Sequence, residues 1–113
     1  MIGVDMSLAK LHAARLVGCD ASLASFAKQK LTKADLRGTR FVDADLEGCD
    51  FSGADLRDCD LSRINFSKIN LSGADLRGAI LAGLDPCMAR LKGTKIDLEQ
   101  AFYLAAALGA EIS

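Results

Sequence analysis

The chain has 113 residues, half of them apolar, with 14 Lys and Arg against 15 Asp and Glu for a net charge of −1. That length fits one domain, and that apolar content excludes a disordered polar chain. Near-neutrality with 5% aromatic residues gives no basic surface interleaved with rings, so direct nucleic-acid binding is disfavoured.

The chain is organised by a repeat. Ala34-Asp35-Leu36-Arg37-Gly38 returns as Ala54-Asp55-Leu56-Arg57-Asp58 and as Ala74-Asp75-Leu76-Arg77-Gly78. Weaker versions recur every five residues, with centres running from Met6 through Leu36, Phe41, Leu46, Phe51, Leu56, Leu61 and Phe66 to Ile96. Among the centres only Ala21 and Pro86 are not large and apolar. Two residues before each centre stands a small or apolar side chain (Ala34, Ala44, Cys49, Ala54, Cys59, Ile64), with Gln29 the large polar exception. Steps of five smear around an α-helix and alternate faces on a long strand. They point inward together only if the backbone turns a corner after each pentapeptide. The best copies return after twenty residues, which predicts four sides per coil and about five coils, a rod of roughly 23 Å at a ~4.8 Å spacing.

Glycine marks the corners. Every glycine but Gly109 falls two residues after a centre, where a type II turn needs φ > 0. Asp or Asn just before the centre (Asp35, Asp45, Asp50, Asp55, Asp60, Asn65, Asn70, Asp75) suits an outward polar place beside a turn.

In chain order, residues 1–30 keep the register less regularly. Leu8 to Val17 offers a short helix between Ser7 and Gly18 as the alternative to continued coils, and the coils are favoured because Val4, Ala9, Ala14 and Cys19 still fill the small inward slot. Residues 31–82 are the regular heart. Residues 83–96 form a deformed last coil, with Pro86 where a core Leu belongs and no N–H for a ladder there. The period then changes. Asp97 and Gln100 fit a capping box, Leu98 to Leu108 is rich in helix formers, and Gly109 fits the helix end. The expected division is 1–96 for the coils and 97–113 for a capping helix. Leu98, Ala101, Phe102, Ala105 and Leu108 make an apolar stripe, joined by Tyr103. A helix so poor in charge buries more than one side, so one side is expected on the coil end and the other on a second copy about a two-fold axis.

No apolar leader precedes a cleavage site, and Ala101–Ala110 is too short to span a membrane, so a cytoplasmic place and no membrane are expected. Cys19, Cys49 and Cys59 sit in the small inward slot, no C-x-x-C exists, and His12 is the single histidine, so neither metal nor disulfide is expected. No Ser-His-Asp or Cys-His set is present. No cofactor and no enzymatic activity are expected.

The repeat resembles the pentapeptide-repeat family, consensus A(D/N)LXX, over roughly residues 4–98. The resemblance implies an all-β fold, a right-handed quadrilateral β-helix. Gly93, Lys95, Ile96, Asp97, Gln100 and Ala101 resemble the C-terminal segment of the Qnr-type and MfpA quinolone-resistance proteins. That likeness implies end-to-end dimerisation through the helix and binding to DNA gyrase or topoisomerase IV by an acidic rod imitating DNA. The candidate acidic face is Asp43, Asp45, Glu47, Asp50, Asp55, Asp58 and Asp60, against which only Arg57 stands between residues 43 and 60. Arg37, Arg57 and Arg77 run parallel to the Asp35, Asp55, Asp75 column, and such pairing makes a self-compensating surface. A rigid scaffold for a protein partner is the expectation from the residues themselves.

Overall fold

The computed structural model describes residues 17–109. The alternative between coil and helix over Leu8–Val17 falls almost wholly outside them. From residue 17 to 83, and again at 92–93, a tight turn recurs every five residues, closed in most copies by the backbone N–H three residues after the centre, as in Ala34 N–H to the Leu31 carbonyl at 3.1 Å. Parallel bridges join residues twenty apart, from Asp20 with Arg40 to Asp75 with Lys95. Four turned segments therefore make one coil. The first side carries 34–38, 54–58 and 74–78. The second carries 19–23, 39–43, 59–63 and 79–83, the third 24–28, 44–48 and 64–68, and the fourth 29–33, 49–53, 69–73 and 89–93. The two short axes of the molecule, 22 and 21 Å, are nearly equal.

Each bridge is a single residue wide, so no strand of two or more residues forms among those described. The reason is the corner: only the residue before each centre is flanked by extended backbone long enough to pair in both directions. Phe41 N–H donates to the Asp60 carbonyl at 2.8 Å, and Asp60 N–H to the Thr39 carbonyl at 3.1 Å. The pattern repeats around the coil.

The core is the stack of centres with the small residues beside them. Phe26, Leu31, Leu36, Phe41, Leu46, Phe51 and Leu56 are fully buried. Phe41 meets Phe26 and Phe51 edge to face, with ring centroids 5.6 and 6.4 Å apart, the orientation the ring quadrupoles favour. Cys49 and Cys59 lie fully buried in the small slot. Their thiols donate to the Phe26 and Leu36 carbonyls of the coil before, and Thr94 uses its hydroxyl in the same way on Leu71. Burial pushes both thiols up to about 12, so they stay protonated donors.

The ladder fails where proline was expected to disturb it. The copy 84–88 makes no bridge to Asn65: its turn falls at 86–87, one residue early, closed by the Met88 N–H on the Asp85 carbonyl at 3.0 Å, and neither the Asp85 nor the Phe66 N–H makes its ladder bond. Leu84 fills the small slot and is buried.

α1 (Leu98–Ala107) follows, with Asp97 as N-cap and the complete capping box to Gln100. It is the only helix among the described residues. No helix there is long and apolar enough to cross a membrane.

Candidate interaction surfaces

The seven acidic residues do not share one side. The coil register sends Asp55 and Asp58 to the first side, Asp43 and Asp60 to the second, Asp45 and Glu47 to the third, and Asp50 to the fourth. A cluster in sequence becomes a belt around the rod, because eighteen residues are nearly one full coil. Only Glu47 and Asp58 carry carboxylates with no hydrogen bond or ion pair among the described residues.

The other five are engaged. Arg63 binds Asp43 through both Nε and Nη2, at 2.9 and 3.2 Å, and holds its carboxyl below the ordinary range. Arg57 grips Asp55 in the same forked way at 2.9 and 2.6 Å, the geometry a guanidinium and carboxylate share. Arg37 stands 3.8 Å from that carboxylate, so charge alternates down the first side through Asp35, Arg37, Asp55, Arg57, Asp75 and Arg77. Asp50 and Asp60 accept from the backbone and hydroxyl of Ser52 and Ser62, and Asp45 from the Glu47 N–H and the Asn65 amide. The aspartate before each centre is thus a bracket for its own corner, receiving the N–H two residues on.

Coil by coil, the charge alternates along the axis. Residues 21–40 hold Lys28, Lys30, Lys33, Arg37 and Arg40 against Asp35, residues 41–60 hold the seven acids against Arg57, and residues 61–80 hold Arg63, Lys68 and Arg77 against Asp75. The acidic coil has basic coils on both sides, about one ~4.8 Å step away, well inside a Debye length of ~8 Å.

At the other surface, α1 closes the coil end with side chains that replace the backbone of a missing coil. Gly38 N–H reaches the carbonyl nineteen residues later, that of Arg57. The equivalent Gly78 N–H instead donates to Asp97 Oδ2 at 2.8 Å. Gly83 N–H donates to the Tyr103 hydroxyl at 3.0 Å. Gln100 Nε2 donates to the carbonyls of Leu76 and Ala79, the latter at 2.9 Å. The Ala79 carbonyl is the one residue 100 would pair with through its backbone if the coil continued. The side chains of Gln100 and Asp97 also close the capping box, accepting from the backbone N–H of Asp97 and of Gln100, and the Gln100 N–H, with that of Gly78, keeps the Asp97 carboxyl below its ordinary value.

Gln100 and Leu104, absent from the apolar stripe read in the sequence, are the residues buried against the coil. The signal for Gln100 was countable, since it lies twenty residues after Ile80. The stripe itself faces outward: Leu98, Phe102 and Leu108 are 71%, 47% and 56% exposed, with Ala101 and Ala105 half-buried. Tyr103 splits its role, ring half out and hydroxyl bonded to the coil. No cluster of His, Cys, Asp or Glu among the described residues could hold a metal ion.

No curated protein matches significantly. Two trypsin-treated structures of QnrB1, a plasmid-mediated fluoroquinolone resistance protein, superpose with TM-scores of 0.73 and 0.75 at 27% and 28% identity. They cover 96% of this chain, which spans 68% and 65% of theirs. HetL, a pentapeptide repeat protein involved in heterocyst differentiation regulation in the cyanobacterium Nostoc sp. strain PCC 7120, is 32% identical with a TM-score of 0.64, over 76% of this chain and 38% of its own. A pentapeptide repeat protein from the Arabidopsis thaliana thylakoid lumen is 30% identical with a TM-score of 0.62, over 94% and 74%. The pentapeptide-repeat family model matches in eight copies over residues 22–58, 30–67, 59–85 and 69–101. With the five-residue corners and twenty-residue bridges already in place, the chain belongs to the pentapeptide-repeat family.

Proposed function

We propose that the chain is a non-enzymatic, rigid scaffold that binds a protein partner and dimerises through α1. Its coil is taken as the right-handed quadrilateral β-helix of its relatives, over 1–96, with 97–113 as the cap. One observation carries the reading: the bridges lock each surface residue into a column at fixed spacing, while α1 presents Leu98, Phe102 and Leu108 to the outside. An apolar stripe of that kind at the end of a rod is matched by its own two-fold copy. Phe102→Asp then gives a monomer by sedimentation equilibrium with an unchanged circular dichroism spectrum. A wild-type chain that is monomeric at high micromolar concentration sinks the dimer.

A second reading, binding to DNA gyrase or topoisomerase IV, draws on the likeness to QnrB1 and on the C-terminal segment. The charge arrangement favours the scaffold. DNA carries one charge per ~1.7 Å without interruption, whereas here the acidic coil lies between basic ones and five of its carboxylates are already bonded. Gyrase supercoiling with rising protein, with and without a fluoroquinolone, separates the two. The scaffold reading expects no effect at high micromolar protein. Inhibition or drug protection that disappears when Asp45, Asp50, Asp55 and Asp58 become Asn replaces it with an acidic topoisomerase ligand.

A further inference from the structure

The last copy on the second side, Ala79-Ile80-Leu81-Ala82-Gly83, is the one pentapeptide between residues 19 and 98 without a polar side chain. Ile80 takes the outward place held by Asp20, Arg40 and Asp60 in the preceding coils, and it stands 51% exposed. Between this edge and α1 opens a cleft of about 390 Å³, lined by Ala79, Ile80, Leu81, Ala82 and Tyr103 with Glu99 at its side. The ladder is nearly closed here, since Gln100 takes the Ala79 carbonyl and Tyr103 the Gly83 N–H. One donor is left over. The N–H of each earlier centre on this side reaches the carbonyl nineteen residues on, Phe41 to Asp60 and Leu61 to Ile80, but the Leu81 N–H has no acceptor among the described residues. Leu81 sinks its side chain into the core, at 5% exposed, and lines the cleft, so its N–H gains by taking an acceptor from there. Glu99 has no ion pair among the described residues either.

We infer that this cleft docks an extended segment of the partner protein in which an apolar residue is flanked by Lys or Arg. A backbone carbonyl of the segment accepts the Leu81 N–H and so continues the ladder by one hydrogen bond, as in strand addition to a sheet edge. Its apolar side chain lies on Ile80, Ala82 and the Tyr103 ring, and its cation meets Glu99. Asp97 and Glu99 repel an acidic segment. Glu99 and Tyr103 stand about 100° round the helix from Leu98 and Phe102, so the cleft stays open when the outer stripe is covered. The inference rests on the scaffold reading and adds its site.

The test is a titration of ¹⁵N-labelled full chain with acetyl-Ala-Lys-Val-Lys-amide and, separately, acetyl-Ala-Glu-Val-Glu-amide. The basic peptide is expected to move the Leu81 amide downfield, with changes confined to Ile80–Gly83 and Glu99–Tyr103 and a Kd of about 1 mM. Glu99→Lys weakens it about fivefold, and Ala82→Trp, which fills the cleft from an exposed position, abolishes it without changing the thermal midpoint. No shift at about 10 mM peptide, equal shifts with both peptides, or shifts centred on Leu98 and Phe102 overturn the inference. A protein partner retained equally by wild type, Glu99→Lys and Ala82→Trp also removes the cleft while leaving the scaffold intact.

Discussion

The corner residue two places after each centre carries the main local strain. Nine glycines have positive φ, eight of them at coil corners, but so do Leu23, Lys28, Lys33, Asp43, Asp58, Arg63 and Lys68, at φ between 56° and 63°. An L-residue there is disfavoured by roughly 1–2 kcal/mol, and it persists because the twenty-residue bridges on either side fix the turn. Swapping residues across this position therefore has opposite signs. Leu23→Gly raises the free energy of urea unfolding by about 0.5 kcal/mol after the glycine entropy is subtracted. Gly38→Ala lowers stability by about 1 kcal/mol, although its added Cβ meets nothing closer than 3.9 Å. Glycine made these corners legible in the sequence because it is permissive there. The lysines gave no such signal, since they carry the same Cβ strain as any L-residue and their type marks only an exposed place. At the centres the cost is packing: Phe41→Ala, between two other rings, loses about 3–5 kcal/mol in denaturant unfolding.

The elements meet at the coil end, where α1 stands in for the next turn of backbone. Gln100→Ala removes the two carbonyl bonds and half the capping box together. At about 1 kcal/mol net per bond, it costs roughly 2–3 kcal/mol and frays the helix in the far-ultraviolet spectrum. Tyr103→Phe strips one acceptor from Gly83 and costs about 1 kcal/mol, with the ring still in place. Asp97 makes the cap pH-sensitive in a defined direction. Its folded pKa lies below the unfolded 3.8, so its contribution is complete above that value and is lost as pH falls through the depressed folded value. Helicity and thermal midpoint should hold from pH 7 to about 5 and decline below about 4, and Asp97→Asn should flatten that decline. Asp97 and Gln100 announced the helix start in the sequence. Its orientation was hidden, because a helix with almost no charged side chains offers no polar face to break the tie between stripes. Only the phase with Ile80 decides which side turns inward.

For the whole molecule, the period of twenty made the coil and its core readable before any coordinates, but not which ladder bonds the copy around Pro86 loses. Surface charge was not readable in the same way. Neighbours in sequence move round the girth, while neighbours along the axis are twenty apart, so a run from Asp43 to Asp60 looks like a patch and folds as a belt. Removing residues 39–58, one full coil, should leave the cap bonds of Asp97, Gln100 and Tyr103 in place and give a shorter, less stable rod that still unfolds cooperatively, as expected where each repeat touches only its neighbours. Loss of α1 helicity in that deletion would show that the cap depends on more than the coil beside it. The chain is, in this sense, a ruler with a dial. Twenty residues added upstream of the cap translate everything before them by one notch of ~4.8 Å and keep its bearing. Five residues advance it by a quarter turn instead, carrying the acidic belt and its basic neighbours past α1 like numerals past a fixed pointer.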